Sequence, residues 1–223
     1  MPGTARCVLS LGVAFGLSLG AATVHATEIV PLSYTFDQTT DCGTYCYFDG
    51  TSPFTIAGEL TDGKYGAEGW AADLGNGNAA EWVGWANKPL VNIDFNFGAV
   101  THINTISVGT TQDRLDDVVL PSIDVYKWNG SSWDFVAGLV VPEDAANDRP
   151  AYSTLMPHAF LTLSNLDIDA SEIRVAAKFS SDGPWTFVDE VDFYDTAPVP
   201  EPTTLALMAG GLAAVIRRRR TTR

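Results

Sequence analysis

The sequence predicts an all-β sandwich lying between two short terminal segments. In the middle of the 223-residue chain, short runs rich in β-branched and aromatic residues alternate with polar ones. Clusters of Gly, Asn, Asp and Pro separate these runs, as in turns between antiparallel strands. No segment combines sustained helical periodicity with capping residues. Many short strands divided by turns favour two packed sheets over a helical bundle or a parallel sheet.

The first 26 residues have the three parts of a secretory signal peptide. Arg6 lies in a short basic region, Val8 to Ala22 form an apolar stretch, and Val24-His25-Ala26 supplies the small residue before the cleavage point. Residues 1–26 are therefore predicted to be removed on export. The domain that remains, residues 27–196, is long enough to bury a core of its own.

Two cysteines follow the signal peptide, Cys42 and Cys46. In an exported protein we expect them to form a disulfide. The loop that it closes is very short, so the entropic gain would be only about 2 kcal/mol, and the bridge would mainly shape a surface loop.

Seven strands are predicted along the middle domain. The clearest runs from Leu90 to Phe97, where apolar and polar residues alternate. The run from His102 to Val108 breaks its alternation, which suggests a bulge. Asn129-Gly130 is a strong signal for a hairpin between two further strands. Asp62 to Asn78 is predicted to form long loops. The other strands are Ile123 to Trp128, Ser132 to Val140, Ala159 to Ser164, Ile173 to Phe179 and Trp185 to Tyr194.

Charge and motifs limit the kind of partner. The chain carries a formal net charge of −14, and nearly all its acidic residues lie in the middle domain. Such a charge makes nucleic acid an improbable ligand. No nucleophile motif points to either of the two histidines of this domain, His102 and His158, and no carboxylate pair stands out among so many. We therefore expect a protein that is not an enzyme.

Sugar binding needs an exposed aromatic face with amide, acid or guanidinium groups beside it. Trp82, Trp85 and Trp133 lie in or beside apolar runs and are expected in the core. The candidate ligand-binding residues are Trp70, Asn76 and Asn78 in the Gly-rich loop, and Gln112 and Arg114 in a later loop.

Residues 197–223 combine a Pro-rich linker, an apolar segment and an arginine cluster. As a helix, Thr203 to Ile216 would be roughly 21 Å long, against about 30 Å for the hydrocarbon core, so it is marginal as a permanent anchor. The four arginines would stay on the cytoplasmic side. The alternative is an ordinary short tail anchor. The residues in question are Pro200, Glu201 and Pro202, the apolar segment, and Arg217, Arg218, Arg219 and Arg220.

This order of segments resembles the PEP-CTERM sorting signal of exported bacterial proteins. The resemblance implies recognition by an exosortase-type membrane protease and cleavage near Pro200-Glu201-Pro202. It implies a protein that is held transiently at the inner membrane by its short C-terminal hydrophobic helix. The protein would then reach the cell surface or the extracellular matrix.

The middle domain also shows an ordered series of short motifs. They include Leu60-Thr61-Asp62-Gly63, Trp82-Val83-Gly84-Trp85, Pro121 to Tyr126, Ile173-Arg174-Val175 and Trp185 to Val191. Their order resembles the galactose-binding-like jelly roll of the discoidin, or coagulation-factor C-type, superfamily.

That superfamily includes many carbohydrate-binding modules with loops that bind sugars at one end of the sandwich, alongside members that bind lipids or proteins. The resemblance also implies a structural Ca²⁺ held by Asp62 and Glu190, since Ca²⁺ prefers carboxylate and carbonyl oxygens. The alternative is that Asp62 belongs to a simple turn and Glu190 to an edge strand.

Together these features predict an exported, non-catalytic protein of the cell surface or extracellular matrix that binds exopolysaccharide or another glycan. Two alternatives stay open. A structural or adhesive protein would bind a protein or no small ligand at all. An enzyme of unknown type would need a deep pocket with a carboxylate of raised pKa.

Overall fold

The computed structural model describes residues 26–40, 47, 49, 58–66, 69–73, 82–142, 144–149, 158–179 and 185–196. These residues form two antiparallel sheets and confirm the predicted all-β sandwich. One sheet has five strands in the order β1-β3-β8-β5-β6, and the other has four in the order β2-β9-β4-β7. The strands are β1 (Ser33–Phe36), β2 (Val83–Ala86), β3 (Leu90–Ile103), β4 (Thr105–Thr110), β5 (Ser122–Trp128), β6 (Trp133–Leu139), β7 (Ala159–Leu163), β8 (Ile168–Lys178) and β9 (Trp185–Tyr194).

Helical structure among the described residues is limited to single turns. Trp70–Asp73 forms a short α-helix, α1, inside the stretch for which the sequence predicts loops. Three 3₁₀ turns cover Glu59–Thr61, Arg114–Asp116 and Ala145–Asn147. No helix in the described part of the chain is long and apolar enough to cross a membrane.

The core lies between the two sheets, as the alternation in the strands requires. Val91, Ile93 and Phe95 of β3 are fully buried while the residues between them face outward. Their partners across the core include Phe193 of β9, whose ring centroid lies 4.9 Å from that of Phe95. Trp82 and Trp85 are fully buried, as predicted.

A second cluster covers one end of the four-stranded sheet. Phe187 of β9 packs against Tyr47 with ring centroids 4.5 Å apart, and Trp82 and Val118 complete the buried set. Strand β9 is consequently buried on both faces along most of its length.

A β-bulge interrupts the pairing of β4 with β9. Val108 pairs with Val191, but Thr110 pairs with Val188, so Gly109 stands opposite both Asp189 and Glu190. A Cβ atom on Gly109 would lie only 2.1 Å from Oδ1 of Asp189. The bulge therefore places two acidic residues opposite one position of β4, and a glycine at that position leaves room for the carboxylate of Asp189.

Several predicted boundaries differ from those observed. The strand expected from His102 to Val108 is divided at Asn104 between β3 and β4, and β3 has its own register shift between Asn96 and Thr101.

The hairpin around Asn129-Gly130 forms as predicted, with Asn129 Oδ1 accepting from the backbone N–H groups of Ser131 and Ser132 at 2.9 Å each.

Candidate functional site

A groove crosses the outer face of the five-stranded sheet. Strand pairing sets three rows of outward residues across β3, β8 and β5. One row holds Asp94, Arg174 and Tyr126, the next Asn92, Ala176 and Asp124, and the third Leu90, Lys178 and Ser122. We call this the outer-face groove; it has a volume of about 290 Å³ and is lined by Leu90, Asn92, Tyr126, Trp133, Arg174, Ala176 and Lys178.

The groove is a depression because its middle row is built from short side chains. Ala176 forms the floor on β8, and Gly138 occupies the matching position beside Asp124 on β6. A Cβ atom on Gly138 would approach Oδ1 of Asp124 to 2.5 Å. Long side chains on both sides, among them Arg174 and Lys178, form the walls.

Arg174 is held in place on two sides. Its Nε and Nη2 donate to the two carboxylate oxygens of Asp94 at 2.6 and 2.7 Å, a bidentate pair. Its guanidinium carbon also lies 4.3 Å from the centre of the Trp133 ring. The hydrogen bonds to Asp94 raise the pKa of Arg174 above its ordinary value. The side chain stays charged and planar, and it is 24% exposed.

A second ion pair lies on the opposite wall. Lys178 Nζ donates to Oδ2 of Asp124, and this hydrogen bond raises the pKa of Lys178. The Tyr126 hydroxyl donates to the same Oδ2 at 3.4 Å. At the β3 end, Asn92 donates from its backbone N–H and its amide Nδ2 to the carboxylate of Asp37, at 2.9 and 2.7 Å. The polar groups of the groove thus form three separate hydrogen-bonded sets: Arg174 with Asp94, Lys178 and Tyr126 with Asp124, and Asn92 with Asp37.

Trp133 is where the prediction from sequence is wrong. Its apolar neighbours place it in the core, but the side chain is only partly buried and lies on the outer face, under Arg174 and beside Trp128 at a centroid distance of 5.3 Å. Strand β6 is at the edge of the five-stranded sheet, so no further described strand lies beside Trp133 on its outer side.

The predicted ligand residues Gln112 and Arg114 lie together, but their side chains bind to a nearby segment of the chain. Gln112 is fully buried, and its Nε2 donates to the backbone oxygen of Asp144 at 2.8 Å and to Oδ1 of Asp148 at 2.6 Å. Arg114 Nε lies 3.2 Å from both oxygens of Asp148. Both side chains hold the segment 144–149 against the sandwich.

Trp70, the other aromatic candidate, packs inward. Its ring stacks on Phe187 with centroids 5.4 Å apart and planes 13° from parallel. Its indole nitrogen is buried and has no hydrogen-bond partner among the described residues. Asn76, Asn78, Cys42 and Cys46 lie outside the described residues, as do the terminal segments 1–25 and 197–223.

Asp62 and Glu190 are brought close together. Glu190 is 2% exposed, and its Oε2 accepts from the Gly63 N–H at 3.1 Å, directly after Asp62. Burial, followed by the charges of Asp192 and Asp62, raises the pKa of Glu190 to about 8. Asp62 is also bound by Lys64, whose Nζ lies 2.7 Å from Oδ2. No group of three or more metal-ligating side chains occurs among the residues that the structure describes.

The second bulge carboxylate, Asp189, pairs with a histidine. His158 Nδ1 lies 2.6 Å from Oδ2 of Asp189, which also accepts from the Gly66 N–H at 2.9 Å. The imidazole lies between the rings of Trp82 and Phe160, each 5.4 Å away and 26° from parallel. Asp189 is fully buried, and its Oδ1 has no partner within the described part of the chain. This contact is structural, because the rings leave the histidine side chain only 12% exposed.

Comparison with solved structures finds carbohydrate-binding modules of low identity. The family 32 module of NanJ from C. perfringens, in complex with galactose, has 16% identity and a TM-score of 0.46 over 76% of this chain and 98% of that one. A chitosan-binding module of a chitosanase/glucanase from a Paenibacillus species has 10% identity and a TM-score of 0.44 over 74% and 96%. The family 32 module of AlyQ, in complex with 4,5-unsaturated mannuronic acid, has 12% and 0.45 over 75% and 97%.

A comparison with curated proteins finds no match to the chain. A comparison with protein families finds a match in the tail. Residues 198–220 match the family described as a PEP-CTERM protein-sorting motif. These residues contain the Pro-Glu-Pro, the apolar segment and all four clustered arginines. The prediction from their order is thereby confirmed: the chain carries a PEP-CTERM protein-sorting motif at its C-terminal end.

Proposed function

We propose that this is an exported, non-catalytic protein that binds a glycan at the cell surface or in the extracellular matrix. The observation that carries the proposal is the outer-face groove. Exopolysaccharide is the ligand we expect, since the sorting motif directs the protein to where such polymers lie.

The groove has the chemistry that a polyhydroxylated ring requires. Trp133, Tyr126 and Leu90 supply apolar surface for the C–H faces of a sugar. Asn92 and the two ion pairs supply donors and acceptors side by side, so a hydroxyl group can accept from one group while it donates to its neighbour. A volume of about 290 Å³ is just below the range for small-ligand sites, roughly 300–1,000 Å³, and corresponds to a shallow site for a single sugar ring.

Binding without turnover is supported by the state of Asp94 and Asp124, the two carboxylates that are paired with the cations of the groove. Asp94 is engaged by Arg174, and Asp124 is engaged by Lys178 and Tyr126. Hydrolysis of a glycosidic bond requires one carboxylic acid that holds a proton for the leaving group. Carboxylates that already hold cations are poorly suited to that role.

Trp133→Ala is expected to weaken glycan binding at least about tenfold, because it removes apolar surface and the support under Arg174. Binding would be measured by titration calorimetry with a glycan identified on an array, using variants whose melting temperatures show that they are folded. Val100→Ala, which changes a side chain that is 73% exposed near the opposite end of β3, is the control.

Two outcomes would count against this site. If Arg114→Ala abolishes binding and Trp133→Ala does not, the ligand binds at the loop that contains Gln112 and Arg114. If the folded protein binds no glycan, the structural or adhesive alternative is favoured.

We propose that an exosortase-type membrane protease processes the tail near Pro200-Glu201-Pro202, after transient anchoring in the inner membrane. The match over residues 198–220 supports this. Glu201→Ala is expected to leave the tail attached and the protein in the membrane fraction. Thr204→Ala, which changes a small side chain in the same segment, serves as the control. Normal tail removal in the Glu201 variant would contradict the proposal.

We also propose a structural Ca²⁺ held by Asp62 and Glu190. Both are carboxylates, the oxygen ligands that Ca²⁺ prefers, and they lie on adjoining segments, because Glu190 accepts from the N–H of the residue after Asp62. Burial and neighbouring carboxylates raise the pKa of Glu190, because they disfavour its charged form. A bound Ca²⁺ would stabilise that charged form and join the turn at Asp62 to the bulge.

A further inference from the structure

The outer-face groove contains two cations, and each is already matched by an anion. Arg174 is bound through two hydrogen bonds to Asp94, and Lys178 is bound to Asp124. Asp37, which receives two hydrogen bonds from Asn92, adds a third negative charge at the β3 end. Three carboxylates thus face two cations, so the local charge is slightly negative, in a chain with a net charge of −14.

This arrangement treats hydroxyl and carboxylate ligands differently. A sugar hydroxyl is both donor and acceptor, so it can bridge Arg174 and Asp94 without breaking their pair. A carboxylate can only accept, and it would have to compete with Asp94 or Asp124 for the cation that each holds. It would also place a like charge within a few ångströms of those aspartates, which costs free energy.

We propose that the outer-face groove selects neutral sugars and rejects uronic-acid and other anionic sugars. The proposal rests on the proposed glycan-binding function and adds the chemical class of the ligand. Asp94 and Asp124 are then specificity-determining residues: they orient Arg174 and Lys178 for hydroxyl groups and withhold them from carboxylates.

The test uses pairs of oligosaccharides that differ only at C6, such as galactose with galacturonate and glucose with glucuronate oligomers. The full-length protein is expected to bind the neutral member of a recognised pair at least about tenfold more tightly. Equal or tighter binding of the uronate would overturn the proposed selectivity and leave glycan binding intact. Binding of neither class by folded protein would refute glycan binding itself.

A charge variant gives the second, independent measurement. Asp124→Asn keeps the shape of the side chain but leaves Lys178 without its anion, so uronate binding should improve about tenfold relative to neutral sugar. That uronate binding should weaken as salt is added. Asp117→Asn makes the same change of charge at an exposed turn with φ of 59°, which Asn tolerates, and should leave the ratio unchanged. An unchanged ratio in the Asp124 variant would overturn the role given to that aspartate.

Discussion

Replacing His158 with alanine is expected to destabilise the sandwich by about 3–5 kcal/mol, because it leaves the buried carboxylate of Asp189 without the imidazole beside it and opens a space between Trp82 and Phe160. The hydrogen bond from the Gly66 N–H would remain, but by itself it does not replace the lost contact and packing. For a domain of this size, the melting temperature should fall by roughly 6–20 °C. Thermal unfolding followed by circular dichroism measures this directly.

The chain offers a matched control in its other His–Asp pair. His102 Nδ1 lies 3.1 Å from Oδ1 of Asp169, but the two side chains are 46% and 72% exposed. His102→Ala should therefore cost at most about 1 kcal/mol. Adding Asp189→Asn to the His158 variant removes the stranded charge and should recover part of the loss. Equal effects of the two histidine variants, or no recovery, would show that burial of Asp189 is not the cause.

Stability is expected to fall as the pH rises, because of Glu190. Its pKa is about 8 in the folded chain and near 4.5 when unfolded, so between these values the folded protein holds a proton that the unfolded chain has released. Unfolding then releases a proton, and a higher pH favours it. In metal-free buffer we expect a loss of roughly 3 kcal/mol between about pH 4.5 and 8. Burial also raises the pKa of Asp192, which acts in the same direction.

Glu190→Gln should remove most of this dependence, since glutamine resembles the protonated acid and can still accept from Gly63. The variant should match the parent protein near pH 5 and be more stable at pH 8. Glu172→Gln, at a partly exposed position on β8, is the control. If the proposed Ca²⁺ binds, adding it should stabilise the parent protein at pH 8 far more than at pH 5 and have little effect on the Glu190→Gln variant. A stability that does not change with pH would contradict the burial of an uncompensated Glu190.

The fold could be predicted from sequence where one face of a strand is buried. Leu90 to Phe97 alternates strictly, and the structure follows that alternation. Short or doubly buried strands carry weaker signals. β1 has only four residues, and β9 is buried on both faces, so its pattern hides the bulge at Asp189 and Glu190. Broken alternation can suggest a bulge, as it does for His102 to Val108, but its position depends on pairing with a distant strand, and here the register shifts lie between Asn96 and Thr101 and between Val108 and Thr110.

The groove could not be found in the same way, because its residues come from three separate parts of the chain: β3, the β5–β6 hairpin and β8. In the sequence, Asn92, Asp94 and Arg174 are simply the polar half of alternating strands. Trp133 looks like a core residue because composition cannot tell an edge strand from a central one. A signal did exist: a tryptophan at a polar-side position, with Arg and Asp at outward positions of other strands. These residues can be recognised as neighbours only once the strand order is known.

The position of β9 determines when the four-stranded sheet can be completed during folding. This strand pairs with β2 and β4 in the middle of its sheet, yet it is the last of the described strands along the chain. A polypeptide that emerges from its amino end cannot complete the four-stranded sheet until Tyr194 is free, only a few residues before the sorting motif begins at 198. Contacts between such distant segments also slow folding. A mutation that delays the pairing of β9 would therefore leave β2 and β4 without the strand that joins them until the end of the domain is available.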